Sequence, residues 1–304
     1  MPNNDILRKM YKDSSLVSVV NMTQNGIAIP SNIETWTLND YGQPTSVELK
    51  SGVTSIPEYW QSSNHVLSSV TIPNTVKTIG ASAFTDCTSL VTVNVPSGTT
   101  SLGTGAFNGV GCSAITIPNT VTTIGSYLFS NNVNTIDITN IDLSNVIDLS
   151  SGIFSLSHIK GNITITNNQL SGSTSGYSAN YAYSMFNNAY VIDSGDTLNI
   201  TVYADGRILP QNIFNFSIYN SSGTINITIY GTPTYLSPKC FGGTKGCSVT
   251  FVDCTTPPDG NSGVTSSSPF YTFGGTVYVP SSTALTRWKN KYGNYSSIFK
   301  VIGT

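Results

Sequence analysis

From Leu67 to Phe129 the apolar and polar positions follow one motif, copied three times. The segments LSSVTIPNTVKTIGASAF, LVTVNVPSGTTSLGTGAF and CSAITIPNTVTTIGSYLF align without gaps. Pro73, Pro96 and Pro118 coincide, then Gly80, Gly103 and Gly125, then Phe84, Phe107 and Phe129, at a period of 23 and then 22 residues. In Val70-Thr71-Ile72 the alternation predicts a short strand, with Val70 and Ile72 inward and Thr71 outward. Pro73 closes that strand because it has no N–H to continue a ladder. Asn74-Thr75 then turns the chain, Val76 and Ile79 bring apolar groups back inward, and Gly80 permits a tight bend. Phe84 fills the far side of the coil. A unit this small cannot bury both of its faces, so it needs a neighbour above and below.

The pattern continues in weaker form. A large apolar or aromatic residue stands five positions before a Phe at Ile79/Phe84, Leu102/Phe107, Ile124/Phe129, Leu149/Phe154, Tyr181/Phe186, Leu209/Phe214 and Leu236/Phe241, with a looser copy ending at Phe270. Short alternating strands follow, among them Ile136-Asp137-Ile138, Ile163-Thr164-Ile165, Ile225-Asn226-Ile227, Val249-Thr250-Phe251 and Val277-Tyr278-Val279. After Phe129 the Phe-to-Phe spacing widens to between 25 and 32 residues, so later coils carry longer loops. Before the regular copies, Val47-Glu48-Leu49 and Ile56 with Trp60 read as a first, imperfect coil.

A fixed period of about 20–29 residues with this core is the mark of leucine-rich repeats. The run TIPNTVKTIGASAFTDCTSL resembles the bacterial surface-antigen class of those repeats, the BspA-like family, closely over residues 67–130 and more loosely to the C-terminus. The ending VYVPSSTALTRWKNKYGNYSSIFKVI resembles the way such arrays finish, a last strand ending in Val-Pro and then a short helix. Ser281 or Ser282 can cap that helix, and Ala284, Leu285, Trp288 and Tyr292 fall on one face of it. The resemblance implies a mainly β, leucine-rich-repeat solenoid of short parallel strands with irregular loops and a small C-terminal capping helix. The expected organisation is an N-terminal cap or docking segment over 1–44, with Ile6, Leu7, Met10 and Tyr11 as its apolar positions. Regular repeats over 45–130 follow, then degenerate repeats with longer loops over 131–280 and a C-terminal cap over 281–304.

Composition agrees with a turn-rich β protein. Only 9% of the residues are charged, against about 25% in ordinary globular chains. Hydrophobic residues at 38% and aromatics at 10% suffice for a core. No stretch reaches the roughly 18 apolar residues of a membrane helix. A net charge of −2 gives no electrostatic case for nucleic acid or an anionic membrane as partner. The basic clusters Arg8, Lys9, Lys12 and Arg287, Lys289, Lys291 read as solvated helix faces. The opening MPNNDILRKMYKDSSLVSVV is interrupted by Asp5, Lys9, Lys12 and Asp13 and lacks a continuous apolar leader core, the expectation for a chain made without a secretory signal.

Candidate chemistry is sparse, and no cofactor is expected. His65 and His158 lie between repeats, and no metalloprotease, serine-hydrolase, dinucleotide or P-loop motif occurs. Cys87 occupies the usual family position after the Phe, Cys112 aligns with Leu67 and Leu90, Cys240 with Ala83, and Cys247 stands six after Phe241 as Leu90 does after Phe84. Only Cys254 lacks a place in the repeat. Free, buried thiols are expected rather than disulfides or zinc. Asp137, Asp142 and Asp148 are the nearest approach to an acidic cluster, and turn or strand-edge roles suit them better than catalysis or calcium. Triplets such as Asn162-Ile163-Thr164 and Asn226-Ile227-Thr228 are frequent by composition alone.

Stacked strands leave one outward residue each: Thr71, Asn94, Thr116, Asp137, Thr164, Asn226, Thr250 and Tyr278. This ladder is polar and nearly uncharged. It serves either as a binding face for a protein or a cell-surface glycan, or only to keep the sheet soluble. The Tyr-rich segment 176–186 is a second candidate, since tyrosine offers area and a polar tip. The expectation is a non-enzymatic binding or structural protein, a bacteriophage virion component in the first instance, held to other virion proteins through its N-terminal segment. A bacterial surface adhesin is the alternative, and a polysaccharide-active solenoid enzyme a further one.

Overall fold

The computed structural model describes residues 23–24, 27–28, 32–146, 152–170, 185–186, 188–189, 195–216, 223–242, 245–263 and 267–304. The apolar positions Ile6, Leu7, Met10 and Tyr11 of the expected cap or docking segment, the tyrosine segment up to residue 184, Leu149, Asp148 and Tyr181 lie outside them. The chain divides into two compact units, Met1–Asn145 and Val146–Thr304.

Among the described residues, the first unit opens on two antiparallel pairs, β1 (Thr23–Gln24) with β2 (Ile27–Ala28), and β3 (Ile33–Leu38) with β4 (Pro44–Leu49). The β3–β4 turn is held by Asn39, whose Oδ1 accepts the N–H groups of Tyr41 at 3.0 Å and Gln43 at 2.9 Å, the local bonding that makes asparagine a turn residue. β4 is the expected imperfect coil strand: Val47 pairs with Val70 of β6 in parallel. The antiparallel β3, straddling the expected boundary at residue 44 together with β4, was not legible in the repeat. After β4, two sets of very short strands alternate. β5 (Ser55–Ile56), β7 (Thr78–Ile79), β9 (Ser101–Leu102) and β11 (Thr123–Ile124) form one parallel sheet. β6 (Ser69–Thr71), β8 (Thr92–Asn94), β10 (Ala114–Thr116) and β12 (Ile136–Asp137) form the other side, where β8, β10 and β12 pair in parallel.

Between the sheets of the first unit the predicted phenylalanines stack. Phe84, Phe107 and Phe129 are fully buried, with centroids 5.4 and 5.7 Å apart and planes within 6° and 13° of parallel, the separation at which offset rings attract. At the head of the stack the Phe slot holds Gln61, whose N–H donates to the Ala83 carbonyl as that of Phe84 does to Ala106. Its buried amide oxygen accepts from Asn64 Nδ2 at 2.9 Å, and Trp60 covers Phe84 edge-on at 5.7 Å. The residues two before and two after each Phe take left-handed backbone: Ser82 (φ 52°) and Asp86 (φ 58°), then Tyr127 (φ 58°) and Asn131 (φ 56°). Such a conformation costs a non-glycine residue about 1–2 kcal/mol. Bonds to the next coil, such as Ser82 N–H to Thr104 O and Asp86 N–H to Asn108 O, help to offset it.

The second unit repeats the scheme with longer strands. β13 (Ile159–Ile165), β14 (Thr197–Tyr203), β16 (Thr224–Tyr230) and β18 (Lys245–Phe251) run seven residues each, β19 (Gly274–Val279) six and β20 (Phe299–Val301) three. All six pair in parallel in that order. The two-residue strands β15 (Ile208–Leu209) and β17 (Tyr235–Leu236) pair on their own. Ile163, Ile200, Ile227, Val249, Val277 and Phe299 form one inward row. Phe154, Phe186, Phe214, Phe241 and Phe270 stack at 5.7, 6.4, 5.5 and 5.5 Å.

The C-terminal cap is helix α1 (Ser282–Lys291). Ser281 is the N-cap, its hydroxyl accepting from the Ala284 N–H at 3.2 Å. Ala284, Trp288 and Tyr292 are buried as expected; Leu285 is only half-buried. Trp288 lies 4.6 Å from Phe251 and donates to the Cys254 carbonyl at 3.2 Å, and Tyr292 packs edge-on against Phe270. One expectation needs correction: β19 is not the last strand. After α1 and a 3-10 turn (Gly293–Ile298), β20 returns parallel to β19, so helix and strand together close the end of this unit.

Candidate outward sheet face

The parallel register decides which outward residues meet. In the second unit Thr164, Thr201, Thr228, Thr250, Tyr278 and Lys300 stand in one row across six strands. Asn226 is not in that row. It belongs to a second one, Asn162, Asn199, Asn226, Ser248 and Thr276. A third row, two residues further along, holds Tyr203 opposite Tyr230. The sequence ladder therefore ran diagonally across two rows. A shift of two residues keeps every inward side chain inward, so alternation alone cannot separate them.

The asparagine row is bonded continuously from Asn162 to Ser248. Asn199 Nδ2 donates to Asn162 Oδ1 at 2.9 Å, Asn226 Nδ2 to Asn199 Oδ1 at 3.0 Å, and Ser248 Oγ to Asn226 Oδ1 at 2.7 Å. Each amide is thereby fixed in orientation, and Asn199 keeps a second N–H and a second oxygen lone pair. Tyr203 and Tyr230 stack at 5.3 Å, with planes 20° apart, and stay 47% and 37% exposed. No charged residue occurs in TLNITVY of β14 or TINITIY of β16.

In the first unit the outward residues are more dispersed. Thr71 pairs with Glu48, in the sheet of β3, β4 and β6. Asn94 pairs with Thr116, but Asp137 pairs with Ala114, one outward row away. Asp137 Oδ1 accepts the Thr139 N–H at 3.0 Å and Asp142 Oδ1 the Ser144 N–H at 2.9 Å, so both acids brace turns.

Among the described residues no group of three or more His, Cys, Asp or Glu side chains converges as a metal site would. His65 is exposed and His158 half-buried. All five cysteines are free and buried. Burial pushes the thiols of Cys87, Cys112 and Cys254 up to about 12, and those of Cys240 and Cys247 well above the ordinary range. Protonated, buried thiols are poor nucleophiles. Cys247 does not take the Leu90 slot; it is an inward strand residue paired with Ile225. Cys254, unplaced by the repeat, sits beneath α1, where its carbonyl receives Trp288. At the helix, Lys291 pairs with Asp259 at 2.8 Å and Arg287 donates to Thr256 at 3.4 Å. No helix of the described residues is long and apolar enough to cross a membrane.

The family model described as the BspA type leucine rich repeat region matches residues 54–181 in six copies. Among solved structures, the chain is similar to a leucine-rich repeat protein from Bacteroides ovatus, at 16% identity over 94% of this chain and 98% of that one. The TM-score is 0.32. No curated protein matches the sequence. Six matched copies, the buried Phe stacks and the parallel short strands agree: residues 54–181 are a leucine-rich repeat region of the BspA type.

Proposed function

We propose that the chain is a non-enzymatic recognition protein displayed on the surface of a bacteriophage particle or a bacterial cell. Its binding surface in this reading is the outward face of β13, β14, β16, β18 and β19. The observation that carries it is the pair of polar rows kept in register across those five strands. Repeat arrays recognise partners over extended surfaces of this kind. A face that only keeps the sheet soluble has no use for two exposed, stacked tyrosines. Display at a surface is what the resemblance of the repeats to the bacterial surface-antigen class implies.

Two measurements test this. Labelled full-length chain is adsorbed to a panel of whole bacterial cells beside the double variant Thr201→Lys, Thr228→Lys, which charges the face and leaves the core alone. Adsorption that falls at least about tenfold, or ~1.4 kcal/mol, supports the face; equal adsorption overturns it. Mass spectrometry of purified particles and washed envelopes is expected to find the chain in one of them, and its absence from both removes surface display.

A further inference from the structure

We infer that the occupant of this face is a linear, uncharged glycan lying across the strands, bedded on the asparagine and threonine rows against a wall made by Tyr203 and Tyr230. The inference rests on the recognition reading above and adds the class of ligand. Three observations carry it.

The first is charge. β14 and β16 contribute only neutral side chains, and Lys160 at the near edge is already paired with Asp196 at 3.0 Å. Lys300 stands at the far end of the threonine row. A polyanion finds no matching field over the centre of the face.

The second is hydrogen-bonding capacity. The amides of Asn199 and Asn226 are oriented by their neighbours before any ligand arrives. Each presents a fixed donor beside a fixed acceptor, the complement of hydroxyl groups on adjacent carbons, and preorganised groups lose little freedom on binding. Thr201 and Thr228 add hydroxyls in the next row.

The third is period and height. Rows across a sheet repeat every ~4.8 Å, about the length of one sugar ring, whereas an extended peptide advances ~3.3 Å per residue and drifts out of phase. Tyr203 and Tyr230 rise beside the shorter threonines, so the ligand meets a step with ring edges and phenol hydroxyls along one side.

The test titrates the full-length chain with cellohexaose, β-1,4-mannohexaose and chitohexaose by calorimetry, at low and at high salt. Binding of at least one hexasaccharide is expected, unchanged by salt and weakened at least about tenfold by Tyr203→Ala with Tyr230→Ala. Tyr41→Ala, at a residue 74% exposed in the other unit, should leave it unchanged. Circular dichroism checks that the double variant is folded, and Tyr203→Phe with Tyr230→Phe keeps the wall should the alanines disturb it. If no hexasaccharide binds, or the alanine variant binds as well as the parent, the inference is overturned. If the Thr201→Lys, Thr228→Lys variant loses cell adsorption while the hexasaccharides neither bind nor compete, the face recognises a protein. The glycan inference then falls and the recognition reading stands.

Discussion

The two compact units build on the same phenylalanine slot but differ in strand length, and that difference decides how much surface each offers. In the first unit the repeat strands run two or three residues, one or two of them outward. In the second, the seven-residue strands β14 and β16 each present four outward positions. The corners differ too. At Gly103 and Gly125 an added Cβ would collide with the backbones of Ala81 and Thr104 in the preceding coil. The same slot, four residues before the Phe, holds Pro210 and Ser237 in the second unit. Tight corners thus go with short strands, and wide polar faces with corners that admit a side chain.

Alkali is expected to break this comparison most completely. An unfolded thiol ionises near 9.0, whereas Cys87, Cys112 and Cys254 hold their protons to about 12 and Cys240 and Cys247 beyond the ordinary range. A pKa raised by folding means full stabilisation below 9.0 and progressive loss as pH climbs toward 12, because only the unfolded chain can release the protons. The second unit holds three of the five thiols and Tyr292, whose phenol is also raised by burial. It should fail first. Fluorescence of Trp288, against that of Trp36 and Trp60 in a Trp288→Phe variant, reports the two units separately. Coincident alkaline transitions would refute the difference.

Next in size are the ring stacks. Phe107→Ala and Phe241→Ala each remove a ring sandwiched between two others and should cost about 3–5 kcal/mol in denaturant unfolding. Equal costs are expected, since both units rely on the slot alike. The corner then separates them: Gly103→Ala should cost about 1–3 kcal/mol by overpacking. Ser237→Ala at the equivalent corner should stay within about 1 kcal/mol. Similar values for the two would mean that the backbone at Gly103 can yield.

Much of this was legible from residue spacing because the core residues are unmistakable in kind. Phe84, Phe107 and Phe129 could only be inward at a constant period, and Ser281 announces a helix start by its own side chain. What stayed hidden depends on neighbours rather than on type. Gln61 in the Phe slot is accommodated because Asn64 satisfies its amide oxygen. β20 is a strand because β19 offers it an edge. The face was found in composition but not in register: Asn226 and Thr250 share a parity, and only pairing assigns them to different rows.

The smallest effect sharpens that last point. Asn199 gives one hydrogen bond and takes another within its row, while Thr116, outward beside Asn94, has no side-chain bond to it among the described residues. Removing Asn199 breaks two neutral, solvent-exposed bonds, each worth at most about 1 kcal/mol net, so Asn199→Ala should cost about 1 kcal/mol. Thr116→Ala should fall within about 0.5 kcal/mol of the parent. The double variant Asn162→Ala, Asn199→Ala should cost less than the sum of its parts, because both remove the same bond. Strict additivity would show that the amides are held by water rather than by one another, and the fixed orientation on which the glycan bed depends would be lost with it.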